Sequence, residues 1–366
     1  MQRFNKTKLT SLIILLFLQI PVCTAVEIAK GIHFYGKIHL SFDNSNDGDK
    51  SNKSLSSNAS RVGFKGIGSI NSNLEWLWQL EQTVRFDQTG GQFATRNSYL
   101  GLQIKQNHKF IFGHHDTPYK LSAGYWGLFS DTVADRLALL GASQIDNFRM
   151  NDRGENAILY IGNYQPIEIQ LMYSASNPNN STSGSVDDNE TDMSSAGIFY
   201  RKGPWYLALA YEEWSGMNVT NINTTNLERT QVSGWRGAFN YTFGQHRFGM
   251  VYENISPGDI TNFPHWDRDV YGINYKYDMT KDYYLASHLL KVTEYYGSSN
   301  TDASHFGIGV FYTPDKQSEI YLAYAITNNN SNASYNVADG GHGDVVFPVA
   351  AGEDPQSISL GLAYKF

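Results

Sequence analysis

The chain has 366 residues, with 28 Lys+Arg against 35 Asp+Glu and one cysteine. An acidic balance excludes the basic footprint of a nucleic-acid binder, and a single cysteine excludes a disulfide framework. Mean hydropathy is −0.40, and past residue 25 no apolar run reaches the about 20 residues of a membrane helix.

Residues 1–25 predict a cleaved secretory signal peptide. Arg3, Lys6 and Lys8 form a basic n-region, residues 9–20 an apolar h-region, and Cys23-Thr24-Ala25 a small-residue cleavage site. Cleavage after Ala25 leaves 26–366 as a single domain without cysteine. Losing three of the 28 basic residues leaves 25 against 35 acidic ones, a formal charge of −10. A lipid anchor on Cys23 is the rival reading, for which Pro21-Val22 is a poor context.

From residue 32 onward, alternation at period two marks successive half-buried strands. Ile32, Phe34, Ile38, Leu40 and Phe42 alternate with mostly polar neighbours. Val62, Phe64, Gly66 and Ile70 oppose Arg61, Lys65 and Ser69. Leu74, Trp76, Trp78, Leu80, Val84 and Phe86 oppose Glu75, Gln79, Glu81, Thr83 and Arg85. Further strands are predicted near 96–105, 109–114, 155–164, 168–173, 194–201, 205–214, 230–243, 246–255, 268–278, 283–294, 303–313, 318–327 and 357–366, which makes sixteen. In the last, Ile358, Leu360, Leu362, Tyr364 and Phe366 form the apolar face. A final strand ending on an aromatic residue is expected to close a barrel by pairing with the first.

The connections sort by length. Short turns at 71–73, 106–108, 165–167, 202–204, 244–245, 279–282 and 314–317 fall strictly between longer polar segments at 43–60, 87–95, 115–154, 174–193, 215–229, 256–267, 295–302 and 328–356. That order predicts an all-β fold, a sixteen-stranded antiparallel transmembrane β-barrel with short turns at one rim and long loops at the other. Closed pairing satisfies every backbone group inside a bilayer. Only one face of each strand reads as apolar, so the interior is expected to be polar and wet.

Four stretches carry a family resemblance: Phe34-Tyr35-Gly36-Lys37; Ser60-Arg61-Val62-Gly63-Phe64-Lys65-Gly66; Arg96-Asn97-Ser98-Tyr99-Leu100-Gly101-Leu102 followed by Phe112-Gly113-His114-His115-Asp116-Thr117-Pro118-Tyr119; and Arg153-Gly154-Glu155-Asn156-Ala157-Ile158-Leu159-Tyr160. In this order and spacing the chain resembles the general (diffusion) porins of Gram-negative bacteria, homotrimeric sixteen-stranded outer-membrane proteins. The resemblance covers essentially the whole chain after residue 25. It implies passive diffusion of ions and small hydrophilic solutes, without cofactor or catalysis, past a long third loop (115–154) folded into the lumen. It also implies a basic wall of Lys37, Arg61, Arg96 and Arg153 facing loop carboxylates, with Asp131 and Asp135 favoured and Asp146 third. Alternation independently puts Lys37 and Arg61 on the polar face, whereas Arg96 and Arg153 rest on the motif. His114 stands where the family has an arginine. Tyr364 and Phe366 would be the C-terminal signal read by the barrel-assembly machinery. Opposed charges across a narrow aqueous gap create a field that sorts ions by sign.

Other chemistry is weaker. His114-His115-Asp116, His265-Trp266-Asp267 and His342-Gly343-Asp344 lack the spacing of a zinc site, and no metal is expected; calcium on Asp187, Asp188, Glu190 and Asp192 fits an irregular oxygen cage better. A barrel enzyme would need a Ser–His or Asp–His arrangement, and His33, His39, His246, His288 and His305 read as lumen or interface side chains. A substrate-specific sugar or anion channel, a barrel enzyme and adhesion through 328–356 stay open as alternatives, as does the sign of the preferred ion.

Overall fold

The computed structural model describes residues 26–87, 96–142, 149–175, 192–220, 227–257, 267–295, 298–338, 341–343 and 348–366. The expected signal peptide, the Asp187, Asp188 and Glu190 carboxylates, and Asp146 lie outside them.

Eighteen strands form one sheet. In chain order they are β1 (Val26–Ala29), β2 (Ile32–Asn46), β3 (Ser51–Ser57), β4 (Arg61–Asn71), β5 (Leu74–Thr83), β6 (Ser98–Ile104), β7 (His108–Asp116), β8 (Arg153–Tyr164) and β9 (Ile167–Ser174). The second half continues with β10 (Met193–Lys202), β11 (Trp205–Thr220), β12 (Leu227–Phe243), β13 (His246–Pro257), β14 (Arg268–Asp278), β15 (Tyr283–Val292), β16 (Ala303–Tyr312), β17 (Ser318–Asn329) and β18 (Gln356–Lys365). Neighbours are antiparallel, and β18 pairs with β2 from Lys365↔Lys37 to Gln356↔Asn46, which closes the ring. The closure reaches the last residue: Gly36 N donates to the Phe366 oxygen at 2.9 Å and Phe366 N donates to Gly36 O at 3.1 Å.

β3 and β4 pair with successive halves of β2, so together they make one stave. The short β1 also lies along β2, on its Ile32–Phe34 end. The result is the expected sixteen-stranded barrel. The segment 51–57, read from sequence as loop, is strand. It has a single apolar side chain, Leu55, and is held by its ladder to β2 and by Ser56 Oγ donating to Asp43 at 2.6 Å. Backbone pairing makes a strand there with almost no apolar alternation.

The outward face is apolar and uncovered: Leu360 is 57% and Met250 60% exposed, a belt that only lipid or another protein would shield from water. Aromatic pairs such as Trp205–Tyr241 (4.3 Å) and Tyr283–Tyr312 (4.6 Å) sit at the short-turn ends as an interfacial girdle.

The inward face has two characters. Along β2 to β5 it is polar, with Lys37, His39, Ser41, Asp43, Arg61 and Glu81. From β8 round to β17 it carries Leu159, Met172, Ala208, Ala210, Ala238, Val251, Leu290 and Ala325, all buried. On these strands apolar side chains are interspersed with a few buried polar ones such as Arg236, Glu253 and His288, against the sequence expectation of a polar, wet face. The reason is the third loop, whose described residues 117–142 and 149–152 lie inside the barrel and bury Tyr119, Trp126, Phe129, Leu139, Leu140 and Met150 against that wall. Small inward residues make the room: a Cβ on Gly272 would come 3.0 Å from the Trp126 ring.

Candidate functional site

The inserted loop begins at a capped turn. Thr117 Oγ1 accepts from Lys120 N at 3.1 Å, and Pro118 follows as the first residue of α1 (Pro118–Ser122). Threonine at the cap and proline in the first turn satisfy or remove amides that would otherwise be orphaned. Side chains of the wall then hold the loop backbone. Tyr206 Oη donates to Ser122 O at 2.9 Å, Tyr119 N donates to Ser195 Oγ at 3.1 Å, and Asn274 Nδ2 donates to Trp126 O.

The strongest fastening is ionic and fully buried. Arg236 on β12 donates through Nε to Glu253 Oε2 on β13 at 2.8 Å, through Nη1 to Tyr119 O at 3.1 Å and through Nη2 to Asn151 Oδ1 at 2.9 Å. Its guanidinium lies 4.0 Å over the Tyr119 ring. Glu253 Oε1 accepts from Gly141 N at 2.7 Å, and Arg268 on β14 bonds Leu139 O and Ala142 O. Both ends of the loop are thereby tied to one Arg–Glu–Arg triad.

At the loop's far edge, Asp131 has φ +63, and its carboxylate lies 2.9 Å from Lys37 Nζ. Asp135 shapes that corner: its carboxylate accepts from Asp131 N at 2.6 Å and from Leu137 N at 3.0 Å, capping the 3-10 turn Arg136–Ala138. Burial opposes ionisation of Asp131, but the charge and hydrogen bond of Lys37, with Arg61 behind it, bring its carboxyl down to about 2. For Asp135 burial dominates and pushes the carboxyl up despite Arg136 beside it.

Lys365, Lys37 and Arg61 are register partners across β18, β2 and β4. Like charges directly opposite repel, so this row needs carboxylates. Asp131 answers Lys37. Glu81 answers Arg61 at 3.7 Å and Arg96 at 2.5 Å, while accepting from Tyr35 Oη at 3.0 Å. Asp116 lies 3.2 Å from Arg153 and 2.9 Å from Lys120, and Arg153 Nε also donates to Asn97 Oδ1 at 2.9 Å. Between wall and loop remains a cavity of about 240 Å³, bordered among others by Arg96, Lys120, Asp131, Arg153 and Gly341.

Of the four basic residues expected at a wall, Arg96 and Arg153 border this cavity, Lys37 reaches it through Asp131, and Arg61 shares Glu81 with Arg96. Of the two described acidic candidates, Asp131 meets them and Asp135 is turned inward, 1% exposed. Sequence reasoning missed Glu81, Asp116 and Lys120 as partners, and missed the triad. Glu81 was legible: it shares the polar face of its strand. Arg236, Glu253 and Arg268 were legible only as charges among inward alanines. Among the described residues no three His, Cys, Asp or Glu converge as a metal site. His39 bonds Tyr321 Oη at 2.9 Å, and His305 bonds Thr327 Oγ1 at 2.9 Å.

Residues 19–333 match the family model of the Gram-negative porin. The chain belongs to the Gram-negative porin family. Outer membrane porin N of Escherichia coli (strain K12) is 23% identical over 408 residues, covering 99% of this chain and 100% of that one. Among solved structures, an anion-selective porin from Comamonas acidovorans superposes with a TM-score of 0.76 at 16% identity, over 92% of this chain and 99% of that one. OmpT of Vibrio cholerae gives 0.67 at 17% identity, over 94% and 100%. Salmonella typhi OmpF in complex with daunomycin gives 0.66 at 16%, over 92% and 97%. At such identities the structural likeness concerns the fold. Family and fold together make this porin an outer-membrane barrel whose lumen is a channel for passive diffusion.

Proposed function

We propose that this porin filters ions and small hydrophilic solutes at a constriction made by the third loop, by size and by charge, with no covalent step. The observation that carries the reading is the 2.9 Å contact of Asp131 with Lys37, which holds the loop against the basic wall. In this reading Lys37 and Arg61 hold the loop carboxylate, Arg96 and Arg153 face the passing solute, and Asp135 orients Asp131. Asp146 remains a further acidic candidate. The same reading has residues 1–25 removed on export, a homotrimer as the assembled form, and Tyr364 and Phe366 as the insertion signal.

The geometry also favours a sign. Lys37, Arg61, Arg96, Lys120 and Arg153 are met by Glu81, Asp116 and Asp131, while Arg149 and Asp152 at the cavity edge carry opposite charges. The eyelet therefore keeps an excess of positive charge and prefers anions, although the chain as a whole is acidic. One uncompensated charge about 7 Å from an ion in water-like dielectric is worth about 0.6 kcal/mol. That supports a few-fold preference and no strict exclusion. Reversal potential across a potassium chloride gradient tests the reading. The wild type should show the anion sign, and Arg96→Ala with Arg153→Ala should move it toward cations. A cation sign in the wild type, or no shift in the variant, overturns it.

A further inference from the structure

The last loop, between β17 and β18, reads from sequence as an outward polar segment rich in Asn, Ser and Gly. Its described residues run inward. Asn329 Nδ2 donates to Tyr335 O at 2.9 Å and Glu353 O at 2.7 Å, drawing the two limbs together above β17. Val337 and Ala338, at 0% and 1% exposure, join the apolar cluster of Phe129, Val133 and Ala134 on the third loop. The chain then arrives at the opposite side of β18. His342 Nε2 lies 3.4 Å from Asp43 Oδ2, and Gly343 N donates to Asn58 Oδ1 at 2.9 Å. A loop standing in solvent would bury neither Val337 nor His342, which is 6% exposed.

Between these two anchorages Gly341 reaches the eyelet. A Cβ there would fall 1.9 Å from Asp131 Oδ1 and 3.2 Å from Ala59 Cβ, and Gly341 borders the same 240 Å³ cavity as Arg96 and Arg153. The Asp131 carboxylate therefore sits between Lys37 on the wall and the Gly341 backbone of a different loop. Any side chain at 341 must displace that carboxylate, the free end of a rotatable side chain, so the backbone can stay while the Asp131–Lys37 contact is lost.

We infer that the last loop is a second wall of the constriction, and that Gly341 is a specificity-determining residue: its missing side chain leaves the aperture and keeps Asp131 aimed at Lys37. This rests on the third-loop filter proposed above. The contact set, two loops meeting over one carboxylate, makes aperture and charge selectivity depend jointly on residues more than 200 positions apart in sequence.

The test compares each variant with the wild type and with itself after modification, because the Cβ of Gly341→Cys already displaces the Asp131 carboxylate and should by itself shift the reversal potential. The only cysteine in the sequence is Cys23, so Gly341→Cys, and separately Asp131→Cys, introduces a single reporter thiol into the described barrel. Single channels of each variant are recorded in planar bilayers before and after adding a small cationic or anionic thiosulfonate. For Gly341→Cys we expect a stepwise loss of conductance, with the reversal potential moving in opposite directions for the two reagents. A thiol at 341 that does not react, or that mass spectrometry shows modified with no conductance step, overturns the inference. If Asp131→Cys still responds in that case, the third-loop filter stands alone. If Asp131→Cys is silent as well, the filter reading itself fails.

Discussion

Arg236 and Glu253 face each other across the β12–β13 ladder, 2.8 Å from Nε to Oε2, at 1% and 0% side-chain exposure. Neither residue is needed to pair its strand, since the register runs unbroken on both sides of them. Their remaining polar atoms go to the third loop, at Tyr119 O, Asn151 and Gly141 N. A buried ion pair is weak evidence for stability, because desolvation consumes most of its attraction. Here it is better understood as a positional device. It converts the flat inner wall into a fixed dock for a loop of more than thirty residues.

Removing one partner leaves the other charge buried, which costs about 3–5 kcal/mol. For Glu253→Ala that cost falls on the dock, because Arg236 and Arg268 would then repel beneath the loop. The barrel ladders are untouched, so the variant should still assemble while its loop leaves the wall. Liposome swelling should then show faster entry of large oligosaccharides and little change for small ones. An unchanged size cut-off in a correctly inserted variant would count against the docking role.

Phe366 closes the ring by two backbone bonds to Gly36, and its ring lies 5.5 Å from Phe34. A Cβ at Gly36 would come 2.4 Å from Phe366 Cζ and 2.8 Å from Arg61 O. Gly36→Val and deletion of Phe366 should therefore both lower the yield of heat-modifiable, folded barrel in the outer membrane. Phe366→Tyr, which keeps the backbone bonds and the ring, should preserve it.

The strand count, the order of short and long connections and the facing of Lys37, Arg61 and Glu81 were legible in sequence, because a strand's period of two survives in every stave that has lipid on one side and water on the other. Legibility failed where that contrast is missing. Residues 51–57 carry too few apolar side chains to alternate, and Ala208, Ala210 and Val251 face an inserted loop rather than water. Asp131 and Asp135 are indistinguishable as letters four positions apart; only the turn at Arg136–Ala138 sends one to Lys37 and the other inward. The inward path of Val337 and His342 depends on Val133 and Asp43, and nothing local encodes partners that distant.

Trp126 is the largest side chain the loop buries, stacked on His288 with ring centroids 5.9 Å apart and close enough to Gly272 to contact an added Cβ. Truncating a buried tryptophan typically costs about 3–5 kcal/mol. Trp126→Ala should spend that loss on loop attachment, seen as increased open-channel noise and faster proteolysis within 117–152 at unchanged barrel melting temperature. A lowered barrel melting temperature with quiet channels would instead place the loss in the wall.

The Asp131 carboxyl lies at about 2, below its ordinary 3.8, with burial opposing and Lys37 lowering. A carboxylate depressed by folding contributes its full stability above the unfolded value and loses it as pH falls through the folded one. The Lys37 contact should therefore survive the range near pH 4 in which solvated loop carboxylates titrate, and should fail only near pH 2. In reversal-potential measurements the part of the selectivity that Asp131→Asn abolishes should stay constant from pH 7 to pH 3. Lys37→Met removes the attraction and leaves burial, so Asp131 should take up its proton at a higher pH than in the wild type. In that variant the same component should fade on acidification well before pH 3. A wild-type component that titrates near pH 4 would show that Lys37 does not hold the carboxylate.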